Sequence, residues 1–188
     1  ISIASKFQIR FFATGGIGGV HLNAENTNDV SADLYALSEN SNFVICSGAK
    51  SILDLSKTNE LLETLGITRI GYQTNYMPGF WYEETENKVD NKFDEIHEIS
   101  SFLKLNENMG NKKSILIFNK VPLEKALNKN DVEKWINNAT IKADRNNISG
   151  KELTPFLIKE INKQSKNQTL NANAVSYTHL RAHETHPN

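Results

Sequence analysis

Short apolar runs alternate with longer amphipathic stretches along this chain, and the two periods are easily told apart. Ile9 to Ala13, Phe43 to Cys46, Arg69 to Tyr72 and Ser114 to Phe118 read as brief strands. Near-continuous apolar runs of this length fit strands covered on both faces. Between them the period is helical. Ser31 is placed as the N-cap of a helix through Glu39, with Leu34 and Leu37 turned inward. Leu53 to Leu65 keeps the same period, and Gly66 follows as its stop. A helix from about Asp94 to Leu105 sets Ile96, Ile99 and Leu103 on one face, and Val132, Trp135, Ile136 and Ala139 give the next helix its stripe. Thr154-Pro155 predicts a further helix start, with threonine as cap and proline in the first helical position. The residues from Ile1 onward read as extended chain without a cap. Asn75 to Glu84 breaks the alternation. It holds Pro78, Gly79 and the aromatics Tyr76, Phe80, Trp81 and Tyr82, which predicts a loop that covers something. Strands alternating with helices predict an α/β fold, a mostly parallel or mixed central sheet flanked by helices.

Composition narrows the function. The chain has 188 residues, of which 38% are hydrophobic and 23% charged, so it has the apolar content for a core. Lys and Arg total 21 against 22 Asp and Glu, a formal net charge of −1 with no basic block. That argues against nucleic acid or an anionic membrane surface as partner. The longest apolar runs, such as Ile115 to Phe118, are too short for a transmembrane helix. Cys46 is the sole cysteine, which excludes an internal disulfide or a multi-cysteine zinc site and suits a reducing cytoplasm. Residues 175–188 shift abruptly in composition and hold His179, His183 and His186. His183-Glu184-Thr185-His186 is one residue short of a zincin pattern. Residues 1–174 are therefore read as a fragment belonging to one domain, and 175–188 as a foreign tail.

Ligands of open α/β sheets sit beyond the carboxyl ends of the strands. Two loops qualify. Thr14-Gly15-Gly16-Ile17-Gly18-Gly19-Val20-His21 follows the first strand, but His21 stands where a dinucleotide fingerprint needs its third glycine, and no Gly-Lys-Ser/Thr completes a P-loop. A tight structural turn and an anion cradle both remain open for it. Ser47-Gly48-Ala49-Lys50 follows the second strand. A lysine there, partly desolvated and close to the start of the next helix, is placed for use as a nucleophilic amine, while a lysine snorkelling to solvent is the plainer alternative. Asp29-Val30-Ser31-Ala32-Asp33 sets two carboxylates and a hydroxyl at alternate positions. Acids decorating a helix start explain it without function, and a hard-metal ligand beside a substrate-facing segment is the functional reading. Cys46 reads as a small buried hydrophobe.

Phe12 to His21, Asp29 to Leu34, Ser47 to Asp54, Leu62 to Gly66, Gly71 to Thr74, Val121-Pro122, Gly150 to Leu157 and Leu170 to Asn173 together resemble the pseudouridine-5′-phosphate glycosidases, the family also called indigoidine synthase A-like. The resemblance implies reversible cleavage of the carbon–carbon glycosidic bond of pseudouridine 5′-phosphate to uracil and ribose 5-phosphate, with a divalent metal, usually Mn²⁺. It implies a Schiff base on the sugar's anomeric carbon, and the lysine that matches this role is Lys50. Asp29 matches the metal ligand. Ser31, Ala32 and Asp33 match the substrate-contacting triplet, and Thr14, His21 and Asn173 are carried over as substrate-binding. It further implies a homotrimer in the cytoplasm. Ser47 and Leu22 depart mildly from the family pattern. The family's glutamate proton donor and a second substrate-binding lysine match nothing here. They are expected in an N-terminal segment of roughly a hundred residues, so this chain alone is expected to be inactive, with apolar surface exposed near Ile9 to Ala13. A non-catalytic sugar-phosphate-binding α/β module is the alternative reading. A dinucleotide-binding enzyme is disfavoured by the missing third glycine.

Overall fold

The apolar runs become strands because each of their faces meets a different layer of side chains. In the computed structural model, which describes residues 1–172, β1 (Phe11–Ala13), β2 (Phe43–Cys46), β3 (Thr68–Tyr72), β4 (Asn91–Phe93) and β5 (Ile115–Asn119) form one sheet in the order β1-β2-β5-β3-β4. Every neighbouring pair is parallel. The register sets Val44 beside Leu116 and Cys46 beside Phe118, and all four are fully buried on one face. Phe43, Ile115 and Ile117 point to the other, with Ile70 of β3.

The first face carries the larger core. It packs against α3 (Ala32–Glu39), α4 (Leu55–Thr64), α6 (Lys129–Arg145) and α7 (Leu153–Gln164) through Leu34, Leu37, Leu62, Val132, Ile136, Leu157 and Ile161. Burying each of these leucines contributes about 2 kcal/mol. The second face meets α5 (Ile96–Asn108) through Ile99 and Leu103. Two short helices, α1 (Ser2–Lys6) and α2 (Ala24–Thr27), flank β1 in sequence. Arg69 of β3 is nearly buried and fixes α4 to the segment before β4, donating to Asp90 Oδ1 at 2.5 Å and to Asn59 Oδ1 at 2.9 Å.

Several expectations need correction. The chain start is helical, not extended; Ala4 is the residue α1 buries, while Ile3 and Phe7 stay exposed. α7 begins at Leu153 out of a 3₁₀ turn at Gly150–Glu152. Thr154 is therefore inside the helix and is not its cap. Pro155 falls in the first turn, where the missing N–H still costs no helical hydrogen bond. Ile96 shares the α5 face of Ile99 and Leu103, as expected, but stays 51% exposed at the mouth of the groove they line. β4 was not foreseen, since Asn91 and Lys92 carry no apolar alternation. Phe7, Ile9 and Phe11 are exposed at 76%, 51% and 47%, the apolar surface anticipated beside the first strand. Among the described residues no helix is long and apolar enough to cross a membrane.

Cys46 lies at the carboxyl end of β2 with no exposure, and burial pushes its thiol up to about 12, opposed only by a backbone contact at Gly48. Desolvation disfavours the thiolate, the form that reacts. A disulfide reagent at pH 8 is expected to leave Cys46 unlabelled in the folded chain and to titrate it fully in denaturant. Rapid labelling of the folded chain would contradict the packing.

Candidate active site

The carboxyl ends of β1 and β2 release two loops that hold each other in place. From the glycine loop, Ile17 N–H donates to Gly48 O at 3.1 Å, and Lys50 N–H returns a bond to Ile17 O at 3.1 Å. Ser47 N–H donates to Gly15 O, and Thr14 N–H to Ile45 O. Thr14 Oγ1 leans over its own loop toward Gly16 O at 3.4 Å. A third segment closes the arrangement. Ser31 N–H donates to Gly19 O at 2.9 Å and His21 N–H to Asp29 O at 3.0 Å, so residues 29–31 run antiparallel to the end of the glycine loop.

Ser31 caps α3 as its sequence position predicts, its Oγ accepting from Asp33 N–H at 3.3 Å. Asp33 then turns back, and its Oδ2 accepts from Gly18 N–H at 2.7 Å. Glycine is required at 18 because a Cβ there would stand 2.1 Å from Ser31 Oγ. The amides of Ile17, Gly18 and Val20 are thus all taken up internally. This half of the loop is built as a structural turn and not as an open anion cradle.

The structure accordingly brings Thr14, His21, Asp29, Ser31, Asp33 and Lys50 around one glycine loop, although 36 residues separate the first from the last. Ala32, the first residue of α3, is exposed beside them. Asn173 and the histidines of the tail lie outside the described residues. Lys50 is half-buried, and among the described residues its Nζ makes no hydrogen bond or ion pair. It does not sit on the helix start, because Asp54 caps α4 and a turn through Leu53 N–H to Lys50 O intervenes. Asp29 keeps a partly exposed carboxylate, with His21 Nδ1 at 3.8 Å from its Oδ2.

Among the described residues no group of three or more His, Cys, Asp and Glu side chains could hold a metal ion. Asp29 offers a partly exposed carboxylate, a hard oxygen donor of the kind that could hold a divalent cation retaining most of its waters.

Sequence reasoning missed the supports behind this loop. Thr58 is fully buried in α4, its Oγ1 accepting from Val20 N–H at 2.9 Å and donating to Asp54 O at 2.7 Å. A usable signal existed: Thr58 precedes Leu62 by four residues, so a hydroxyl sits on the apolar face. Thr58→Val strands the buried Val20 amide and is expected to cost about 1–3 kcal/mol, whereas Thr58→Ser is expected to cost about 1 kcal/mol. Urea midpoints of the two variants check this order; equal midpoints would remove the hydroxyl's role. The aromatic loop is the second support. Ser51 Oγ donates to Gly79 O at 2.5 Å and Phe80 N–H to Ser47 O at 3.0 Å, which seats Phe80 against Gly16 and Pro78 against Gly48.

A parallel α/β sheet that gathers a lysine and two aspartates on a glycine loop at its carboxyl edge has the architecture of a small-ligand enzyme. The family follows from comparison: residues 1–179 match the model of the indigoidine synthase A like proteins, and the chain belongs to that family. It is 45% identical over 170 residues to a protein of Caldanaerobacter subterraneus subsp. tengcongensis named pseudouridine-5′-phosphate glycosidase. It is 44% identical to one of that name from Staphylococcus aureus. Each match covers 90% of this chain and 55% of the relative, so the chain spans about half the length of the curated relatives it matches. Among solved structures, the prealnumycin C-glycosynthase in complex with ribulose 5-phosphate superposes with a TM-score of 0.86 at 30% identity, covering 93% of this chain and 57% of that one. An indigoidine synthase A-like protein of Thermotoga maritima gives 0.84 at 31%, with the same coverage.

Proposed function

We propose that this chain carries the lysine-bearing part of a pseudouridine-5′-phosphate glycosidase, an enzyme that reversibly splits the C-glycosidic bond to uracil and ribose 5-phosphate. The observation that carries the reading is Lys50: a half-buried amine without a polar partner among the described residues, held by backbone bonds to the glycine loop between β1 and α2. The relatives' name supports the substrate, and the pentose phosphate bound by the C-glycosynthase supports the sugar-phosphate class. A carbon leaving group cannot depart as a simple protonated heteroatom. The lysine amine displaces the ring oxygen from C1 and opens the sugar. Its nitrogen lone pair then forms the C1 iminium as the C1–uracil bond breaks, and the uracil carbon takes a proton. Water hydrolyses the iminium to ribose 5-phosphate and the free lysine. The proton donor is assigned to the part of the relatives outside this match. In the longer protein the assembly is proposed as a cytoplasmic homotrimer.

Asp29 is assigned as a ligand of Mn²⁺, with Thr14, His21, Ser31, Ala32, Asp33 and Asn173 around the substrate. The cation would supply positive charge to counter the phosphate. In the full-length enzyme Asp29→Asn is expected to raise the metal concentration for half-maximal activity about tenfold or more, because an amide is a poorer ligand for a hard cation. An unchanged metal requirement would remove Asp29 from the site.

The reading is tested by incubating the chain with ribose 5-phosphate and borohydride. The amine adds to the open-chain aldehyde with loss of water, and hydride reduces the iminium to a stable secondary amine. A mass gain of one reduced pentose phosphate per chain is expected. A chain that ribose 5-phosphate stabilises against heat but that stays unlabelled would be a sugar-phosphate binder without the chemistry.

A further inference from the structure

The two faces of the sheet are covered unequally. Four helices close one, whereas on the other α5 leaves a groove of about 730 Å³ between itself and β1. Phe11, Ile45 and Ile117 contribute from the sheet, Ile96, Ile99 and Leu103 from α5. Phe11 and Ile96 remain about half exposed. The groove runs into an open strand edge, since β1 pairs with β2 alone among the described strands. Thr14 N–H points inward to Ile45 O, so the parallel alternation turns the Phe11 and Ala13 amides to the open side. The opposite edge is different: β4 begins Asn91-Lys92, polar residues of the kind that guard an exposed strand.

We propose that this groove and the β1 edge together form the docking site for the polypeptide that the relatives carry beyond the region matched here. A little under half of each relative's length lies there, and it must pack on something. The helical face is already closed, and β4 presents a polar edge. Beside β1, apolar side chains and backbone groups unpaired among the described residues occur together, which suits a segment that adds a strand and lays its inward side chains into the groove. The occupant is thus an apolar-faced segment of the same fold, covalently continuous in the relatives. This inference stands apart from the glycosidase reading, because it rests on cover and length alone.

The test is co-expression of this chain with the unmatched segment of the Caldanaerobacter protein, which carries the affinity tag. A one-to-one complex that survives gel filtration is expected. Phe11→Glu and Ile96→Glu are expected to weaken it by about a hundredfold, the scale of a central interface residue. Both positions are half exposed, and the circular dichroism and melting of each variant verify its fold. Leu123→Glu, at a residue 74% exposed and outside the groove, is expected to bind as the parent does. Failure to co-purify would overturn the proposal, as would full binding by both groove variants. It would equally be overturned by a homodimer of this chain alone that Phe11→Glu disperses, since a second copy would then own the surface.

Discussion

Lys50→Arg is expected to be as inactive as Lys50→Ala in the full-length enzyme, each losing about 10⁴-fold or more in cleavage of pseudouridine 5′-phosphate. The pairing of variants separates two roles for one side chain. A nucleophile must present a neutral amine, and a guanidinium remains protonated at any working pH, so arginine keeps the charge but cannot attack C1. A residue that only held the phosphate would tolerate arginine, which binds phosphate well through paired N–H donors. Substantial activity in Lys50→Arg would therefore return Lys50 to binding. Both variants are expected to melt with the parent, because the amine has no polar partner to lose among the described residues.

The second large effect is structural. Gly48→Ala is expected to destabilise the chain by about 3 kcal/mol or more, since both backbone strain and a steric clash act at that position. Gly48 has φ +94, and a Cβ there would stand 2.0 Å from the Pro78 carbonyl oxygen, a backbone atom that cannot swing aside. For a chain of this size the loss corresponds to roughly 10 °C in Tm. Gly110 supplies the control. Its φ is +73, but a Cβ there meets nothing within 4 Å, so Gly110→Ala carries the strain without the clash and is expected to cost about 1–2 kcal/mol. Scanning calorimetry of the two variants measures the difference. Equal melting temperatures would mean that the aromatic loop does not press on Gly48.

The sequence made the site's local pieces legible because each is written in consecutive residues. Ser31 is a cap whose hydroxyl bonds two residues on, Phe43 to Cys46 is apolar on both faces, and Gly66 turns the chain at φ +66 as a helix stop should. What stayed hidden was non-local. No local signal tells that β5 inserts between β2 and β3, because parallel pairing depends on the register of distant segments. Nor does any tell that Asp33 folds back to hold Gly18, which leaves the loop less open to an anion than its four glycines suggest. Thr154 failed as a cap for a related reason: the preceding 3₁₀ turn had already started the helix. α1 eluded the period because it buries little besides Ala4.

The central claim is that Lys50, fixed by backbone bonds to the glycine loop, is the amine that captures the sugar. Borohydride trapping with ribose 5-phosphate, followed by peptide mass mapping, tests it most directly. The account predicts one reduced pentose phosphate on the peptide that contains Lys50, and no adduct at matched times in Lys50→Arg. An adduct on another lysine, or the same labelling in Lys50→Arg, would contradict it.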